Sequence, residues 1–400
     1  MLKFFFKFLI AIICLLIIVA LFNIKKIKRL NAVNHLFDEG NIIENFQGME
    51  KIFDVSRLTA SPNPLQLEEK LTYELPKIFK YKDEEVDLAA YLKHTRNEGL
   101  LIIHKDTIIY EKYSNGLTME KQHISWSMSK SFVSALIGIY VEKGLIDLST
   151  PISDYLPEFK DSGYDGVSVK DVLQMSSGVG FNEDYADFNS DINRFGRAFA
   201  LGTSLRSFSL SLKKDLEPGT FNRYVSIDTQ MLGMLLQAVT NKSITALLKE
   251  HIWDPVGMEY DAYWITDNEN MEVVLGGLNA TLRDYAKLGL LYLHKGTLNG
   301  NRILAEDWIE KSTTPDAPHL MPNQTDLSIN HYGYGYQWWT PQFPKNDFFA
   351  VGIYSQFVYI NKEKDLVIAV LSSNHHFKSD TELYKDKHIN MLQQIAEEFK

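Results

Sequence analysis

Cysteine is almost absent from this chain. Cys14 is the single thiol among 400 residues, so no disulfide framework and no cysteine-built metal site can form within it. A basic excess is missing as well. The formal net charge is −10. Residues 1–30 hold Lys3, Lys7, Lys25, Lys26, Lys28 and Arg29 and no acid, so the −10 of the whole becomes −16 for the remainder once those six are set aside. An acidic body argues against nucleic acid as a partner. Internal repeats and low-complexity tracts are also missing. What remains is an ordinary globular composition, 45% hydrophobic and 23% charged, with length for one large domain or two smaller ones.

Residues 8–22 form an unbroken apolar run, and Phe4, Phe5 and Phe6 extend it past Lys7. About 19 residues in a helix span roughly 28 Å, close to a bilayer core. No small-x-small cleavage site follows, because the run ends Val19-Ala20-Leu21-Phe22-Asn23. The expectation is therefore an uncleaved single-pass anchor at residues 1–30 rather than a removed signal peptide. Lysines flank the run on both sides, so the positive-inside rule does not orient it. A catalytic domain on the periplasmic or extracytoplasmic side is the expected arrangement.

The stretch that carries most chemistry is Ser127-Met128-Ser129-Lys130. An apolar helical pattern follows it at Phe132, Val133, Leu136, Ile137, Tyr140 and Val141, which places Ser127 at or near a helix N-terminus. Lys130 lies one turn on, on the same face. A serine hydroxyl needs a group to take its proton, and a lysine with a lowered pKa can do so. The helix start adds unpaired backbone N–H groups and a positive dipole end. A bare Ser-x-x-Lys is common, and Ser211-Leu212-Lys213-Lys214 is a decoy in the same chain. Only context separates the two: an aromatic lead-in and a strongly apolar helix mark Ser127.

Residues 100–104 and 108–113 read as a β-hairpin around Lys105-Asp106-Thr107. Helices are expected at 169–175 and 229–239, another closes at Ile252-Trp253-Asp254-Pro255-Val256-Gly257-Met258, and two more are expected at 282–294 and 389–399. Strands return at 356–360 and 366–371. Strands at both ends with helices between predict an α+β fold. Its antiparallel sheet is flanked by helices and carries a mainly helical insertion at about 147–262. The division reads 1–30 anchor, 31–85 lead segment wrapping the core, and 86–400 main domain.

Two further elements complete a candidate site. Tyr224, in Phe221-Asn222-Arg223-Tyr224-Val225-Ser226, sits on a loop before an apolar helix, where a phenol can enter a cleft as acid or base. Most tyrosines in such loops only pack, and Tyr113-Ser114-Asn115 is a second decoy. Gly352, in Ala350-Val351-Gly352-Ile353, leads into a strand. A glycine there lets backbone approach a substrate, and an N–H at that place could pair with that of Ser127 as an oxyanion hole.

Together these segments resemble the serine β-lactamase and penicillin-binding-protein superfamily, in particular its class C-like branch with 6-aminohexanoate-dimer hydrolases and related esterases. The resemblance runs from about Ile42 to the C-terminus. It is most specific at residues 125–138, 174–178, 218–232, 252–258 and 352–366. It implies an acylated nucleophile at Ser127, an activating amine at Lys130, a proton shuttle at Tyr224 and oxyanion donors on the backbone of Ser127 and Ile353. Tyr185 and Ser226, with Gly352, would be substrate-side positions. No metal or other cofactor is implied. Which of Lys130 and Tyr224 is the acylation base stays open; for Lys130 to serve near neutral pH, its pKa must fall about three units from 10.4.

Two departures bear on the substrate. The superfamily's Tyr-x-Asn is Tyr224-Val225-Ser226 here, and its Lys-Thr-Gly or His-x-Gly is Ala350-Val351-Gly352. Without that cation a β-lactam carboxylate loses its usual partner. The expected activity is thus an amidase or esterase on a small-molecule or peptide-like substrate. The alternative is a non-catalytic or weakly catalytic cell-envelope peptide-binding protein on the same scaffold. Asp184, Asp187 and Asp191 lack a calcium-loop pattern, and His375-His376 lack ligand spacing.

Overall fold

The computed structural model describes residues 2–400. Met1 and the side chains at positions 2, 3, 16, 17, 19 and 20 lie outside the described residues, and part of the expected anchor falls on them. The chain begins with α1 (Leu2–Phe22), a helix of 21 residues. Among the described residues no single helix is long and apolar enough to cross a membrane, and the apolar stretch Phe4–Leu15 is shorter than a span. Phe4, Phe8, Leu15 and Phe22 on α1 are exposed. After Asn23, α2 (Ile24–Asn34) is fastened to the body. Its Arg29 is buried and pairs with Asp54 at 2.6 Å, and its Lys25 reaches the same carboxylate at 2.8 Å.

The lead segment contributes β1 (Asp54–Leu58) and β2 (Glu68–Glu69) to the two sheets, and a short hairpin of Ile78–Tyr81 and Glu84–Asp87 stands apart from them. The expected hairpin is β3 (Asn97–His104) and β4 (Thr107–Tyr113). Its loop is the two residues Lys105 and Asp106, both at positive φ, as a type I′ turn requires to match strand twist. After β5 (His123–Ile124) comes α3 (Lys130–Glu142). The helical region contains α4 (Asp191–Ala200) and α5 (Ser226–Thr240). Next are β6 (Ala262–Thr266), β7 (Leu278–Ala280) and α6 (Leu282–Leu293). The C-terminal part holds β8 (Gly333–Tyr334), β9 (Trp339–Thr340), β10 (Asp347–Gly352), β11 (Gln356–Asn361), β12 (Leu366–Ser372) and α7 (Thr381–Glu397).

The main sheet has eight strands in the order β8-β9-β10-β11-β12-β3-β4-β2. The pairings are antiparallel except β2 on β4. N-terminal and C-terminal strands thus meet at β12 and β3, and the helical region is an excursion from the sheet. A smaller sheet, β1-β6-β7-β5, lies beside the start of α3. Between β5 and β6 every described element is helical.

β12 is buried along its whole length, as a strand covered on both faces must be. Val367, Ala369 and Leu371 join the core with Leu288 and Leu291 of α6. Leu366, Ile368 and Val370 join a second core with Ile389, Leu392 and Ile395 of α7. The period-2 alternation of the strand thus serves two helices. Arg283 of α6 pins the edge, pairing with Glu111 of β4 at 2.5 Å and Glu69 of β2 at 2.8 Å. The last helix differs from expectation. It starts at Thr381, eight residues before the apolar stretch that signalled it, with Asp380 accepting a hydrogen bond from the Leu383 N–H at 2.9 Å as its cap.

Where α6 crosses the sheet its backbone comes close to β11 and β12. A Cβ on Gly289 would lie 2.7 Å from a Val367 methyl and 2.9 Å from a Val358 methyl. Gly289→Ala should therefore destabilise the domain by about 1–3 kcal/mol through overpacking, despite alanine's better helix propensity. A lowered denaturant midpoint at unchanged m-value is the expected reading.

Candidate active site

Ser127 does not open the α-helix itself. A 3₁₀ turn, Trp126–Ser129, precedes α3, and Ser127 sits inside it. Trp126 is held at φ +46, a left-handed conformation that costs an aromatic residue energy. The surroundings hold it there. The Ser129 hydroxyl donates to the Trp126 carbonyl at 3.0 Å, and the Ser125 N–H donates to the Leu278 carbonyl of β7 at 2.8 Å. Phe37 and Phe46 of the lead segment pack on the Trp126 ring, with centroids 5.5 and 5.3 Å away. Phe37 also stacks on Tyr354 at 4.6 Å, so one aromatic cluster braces both the nucleophile turn and the turn after β10.

Lys130, first residue of α3, is 1% exposed. Its Nζ lies 3.1 Å from Ser127 Oγ and 3.1 Å from Ser226 Oγ, and it donates to the Leu275 carbonyl. Burial pushes its pKa down to about 7, against the opposing pull of the Glu183 and Asp228 carboxylates. A neutral amine has two N–H groups and one lone pair. Ser226 spends its own proton on Glu183 Oε1 at 2.6 Å, so its oxygen can accept from Lys130. The two amine protons then go to Leu275 and Ser226, and the lone pair is left facing the Ser127 hydroxyl.

Glu183 organises this side of the site. It accepts from the Ser226 N–H at 2.8 Å, the Ser226 hydroxyl, and the Tyr185 hydroxyl at 2.8 Å. Burial raises its pKa, while Lys130 and those donors pull it down. Asp228 lies deeper and accepts from Tyr164 and Ser177, each at 2.8 Å. Burial holds its carboxyl well above the usual range. Tyr224 lines the same cleft as Ser127, whose hydroxyl works against the rise in its pKa. Its ring stacks on Trp339 at 5.3 Å and lies 5.3 Å from the Lys130 ammonium position. Burial and the Glu183 charge raise its pKa well above that of a free phenol, so at neutral pH it is a proton donor.

Gly352 ends β10 beside the nucleophile turn. A Cβ there would stand 2.2 Å from the Ser125 carbonyl oxygen. The close approach that needs a glycine is therefore to the nucleophile's own loop. Ile353 follows it, and Tyr354 and Ser355 complete the turn at φ +62 and +72.

A cleft of about 920 Å³ opens over Ser127 and is lined by Tyr224, Tyr185, Gly352, Ile353, Trp339 and Lys385 among others. The expected residues Ser127, Lys130, Tyr224, Gly352 and Ile353 thus converge. Tyr185 lines the cleft with its ring, but its hydroxyl is committed to Glu183. Ser226 is not a cleft residue: it is buried between Lys130 and Glu183 and lines a smaller pocket behind. Ala350 is also corrected. It is 1% exposed and packs into the core, so a lysine there would be driven into apolar surroundings rather than into the cleft. The cleft nevertheless has cations. Arg223 is paired with Asp215 at 2.5 Å. Lys385, on the polar first turns of α7, lies 4.4 and 5.0 Å from the ring centroids of Tyr332 and Trp339. Among the described residues no carboxylate stands within ion-pair distance of it. Sequence reasoning missed Glu183, Asp228 and Lys385, which belong to no motif and lie far along the chain from Ser127.

A family model for beta-lactamases matches residues 88–388. The chain belongs to the beta-lactamase family. The match covers the Ser127 turn, Lys130, Tyr224 and the β10 strand together. The chain is 28% identical over 295 residues to a 6-aminohexanoate-dimer hydrolase of Paenarthrobacter ureafaciens, covering 72% of this chain and 75% of that protein. A solved Bacillus anthracis structure, provisionally named a 6-aminohexanoate-dimer hydrolase, superposes with a TM-score of 0.81 at 24% identity, over 90% of this chain and 95% of that one. A family VIII carboxylesterase superposes with a TM-score of 0.56 at 16% identity, over 74% and 95%. This beta-lactamase-family chain is a serine hydrolase.

The carboxylate of Glu183 raises the Lys130 pKa. Glu183→Gln removes that charge and keeps an acceptor for Ser226. The acidic inflection of the kcat/KM profile should then move below about 7, by up to about one unit. An unmoved inflection would separate Glu183 from Lys130 electrostatically.

Proposed function

We propose that this protein is an N-terminally anchored amidase or esterase that works through an acyl-enzyme on Ser127. The observation that carries this reading is the buried Lys130 amine, 3.1 Å from Ser127 Oγ with its pKa lowered to about 7. In the proposed cycle the Lys130 lone pair takes the Ser127 proton as Oγ attacks the carbonyl carbon. The backbone N–H groups of Ser127 and Ile353 stabilise the developing oxyanion. Tyr224, held neutral, donates its proton to the leaving amine or alcohol, and the proton that Lys130 took from Ser127 restores the phenol. Water then attacks the acyl-enzyme, with the same groups acting in reverse. Of the two candidate bases, Lys130 titrates in the neutral range and Tyr224 far above it, which supports Lys130 as the base.

The exposed apolar residues of α1 support the anchor, and a catalytic domain outside the cytoplasm is part of the same proposal. The substrate is an open-chain amide or ester, in keeping with the named activity of the Paenarthrobacter relative.

Lys130 acts as base only as the free amine. Its folded pKa is depressed, so kcat/KM on p-nitrophenyl esters should rise with pH through about 7 and level off above it. Ser127→Ala should abolish fluorophosphonate labelling and lower turnover at least about a thousandfold, whereas Ser211→Ala should leave both intact. Tyr224→Phe should cost about 10²–10⁴ in turnover. Labelling that survives Ser127→Ala would remove the assignment.

A further inference from the structure

Ser127 lies on the shared wall of two cavities of different character. The 920 Å³ cleft is the wider and more polar of the two, with Arg223, Lys385, Glu183, Asp184, Asp191 and Asn330 set among aromatic and aliphatic side chains. The second cavity, about 300 Å³, is apolar. Phe37, Phe53, Phe195, Phe199, Ile265 and Val273 wall it. Its roof is the C-terminal end of α2 with Leu36 and Phe37, and one side is α4. α2 is held in place by the Arg29 and Lys25 pairs to Asp54. Lys378 and Arg197 line it too, and each carries its charge over a ring: Lys378 over Phe37 at 4.7 Å, Arg197 over Phe188 at 3.9 Å.

The two cavities differ in which catalytic groups they meet. Ser127, Ile353 and Tyr185 border both, but Tyr224 borders only the polar cleft. A proton donor to the leaving group must stand beside the leaving group. The leaving group therefore sits in the polar cleft, and the acyl portion sits across Ser127 in the apolar cavity. From this we propose that the substrate is an ester or amide of a medium-length apolar acyl chain with a polar leaving group, the chain held under α2. The proposal rests on the acyl-enzyme reading above. The chain exchanges its bond to the leaving oxygen or nitrogen for one to Ser127 Oγ, and water then releases it as the free carboxylic acid. A volume of 300 Å³ is about ten times one water's share of ~30 Å³, room for a chain of roughly eight carbons. α2 directly follows the apolar helix α1, so the roof of this cavity is the part of the body nearest the proposed anchor.

Gly196 of α4 lines the apolar cavity, and a Cβ added to it meets nothing within 4 Å. Gly196→Ala and Gly196→Leu can therefore fill the space stepwise, and both substitutions favour the helix. The full-length protein in detergent is assayed on p-nitrophenyl acetate, butyrate, hexanoate, octanoate and decanoate. In the wild type, kcat/KM should rise by up to about fourfold per added methylene to about octanoate. The octanoate-to-acetate ratio should fall in Gly196→Ala and fall at least tenfold in Gly196→Leu. A flat wild-type series, or a ratio that Gly196→Leu leaves in place, overturns the acyl cavity while the hydrolase reading stands. No acetate turnover and no fluorophosphonate labelling of Ser127 in the wild type would overturn both.

Discussion

The site depends on one buried amine. An ammonium sealed from water at the start of α3 is costly, and the protein meets that cost by lowering the Lys130 pKa to about 7 rather than by a direct ion pair. The nearest opposing carboxylates act at a remove. Glu183 reaches Lys130 through the Ser226 hydroxyl, and Asp228 is held by Tyr164 and Ser177. A direct salt bridge would fix the proton on nitrogen and leave no lone pair for the role proposed for it. An interposed hydroxyl keeps the amine oriented yet leaves its lone pair available to Ser127. Where the related fold carries asparagine after the tyrosine, Ser226 here is short enough to fit between lysine and glutamate.

The same requirement reaches into the scaffold. Lys130 can be buried only because α3 is apolar on every side, from Phe132 to Tyr140. Ser127 stands in the turn before it, next to the strained Trp126, and the aromatic cluster of Phe37, Phe46, Trp126 and Tyr354 holds that strain. Two of those rings come from the segment before the main domain. The lead segment therefore shapes both the nucleophile turn and the apolar cavity behind it, which ties the chain just after α2 to chemistry almost a hundred residues on.

What was legible in the sequence followed from local pattern. Short apolar runs located β3, β4, β11 and β12, and the polar-to-apolar switch at Ser127 marked the proposed nucleophile. The start of α7 was missed because Thr381 to His388 carry no apolar stripe. That turn is helical through its Asp380 cap and its junction with the buried residues beyond. Lys385 was missed with it, so the cleft looked poorer in cations than it is. Glu183 and Asp228 escaped for a different reason. A single acid in a loop or a helix reads as solvated, and only the fold brings it to Lys130. Ala350 shows the converse error. Its place in a sequence triplet suggested a cleft position, while β10 puts its side chain in the core.

The division of labour around Ser127 follows from geometry that no single motif contains. Tyr224 stands on the polar side, stacked on Trp339, and Lys385 lies against the same ring. The apolar side is built from α2, α4 and the backbone near Leu275, whose carbonyl also accepts from Lys130. One residue thus borders the apolar cavity and orients the Lys130 amine. A chain that filled this cavity would press on the segment that holds the amine, and would exclude water from the side of Ser127 opposite Tyr224. Low dielectric there keeps Lys130 neutral and strengthens the hydrogen bonds on Ser127. Occupancy of the apolar side and readiness of the base are, in this arrangement, aspects of the same desolvation.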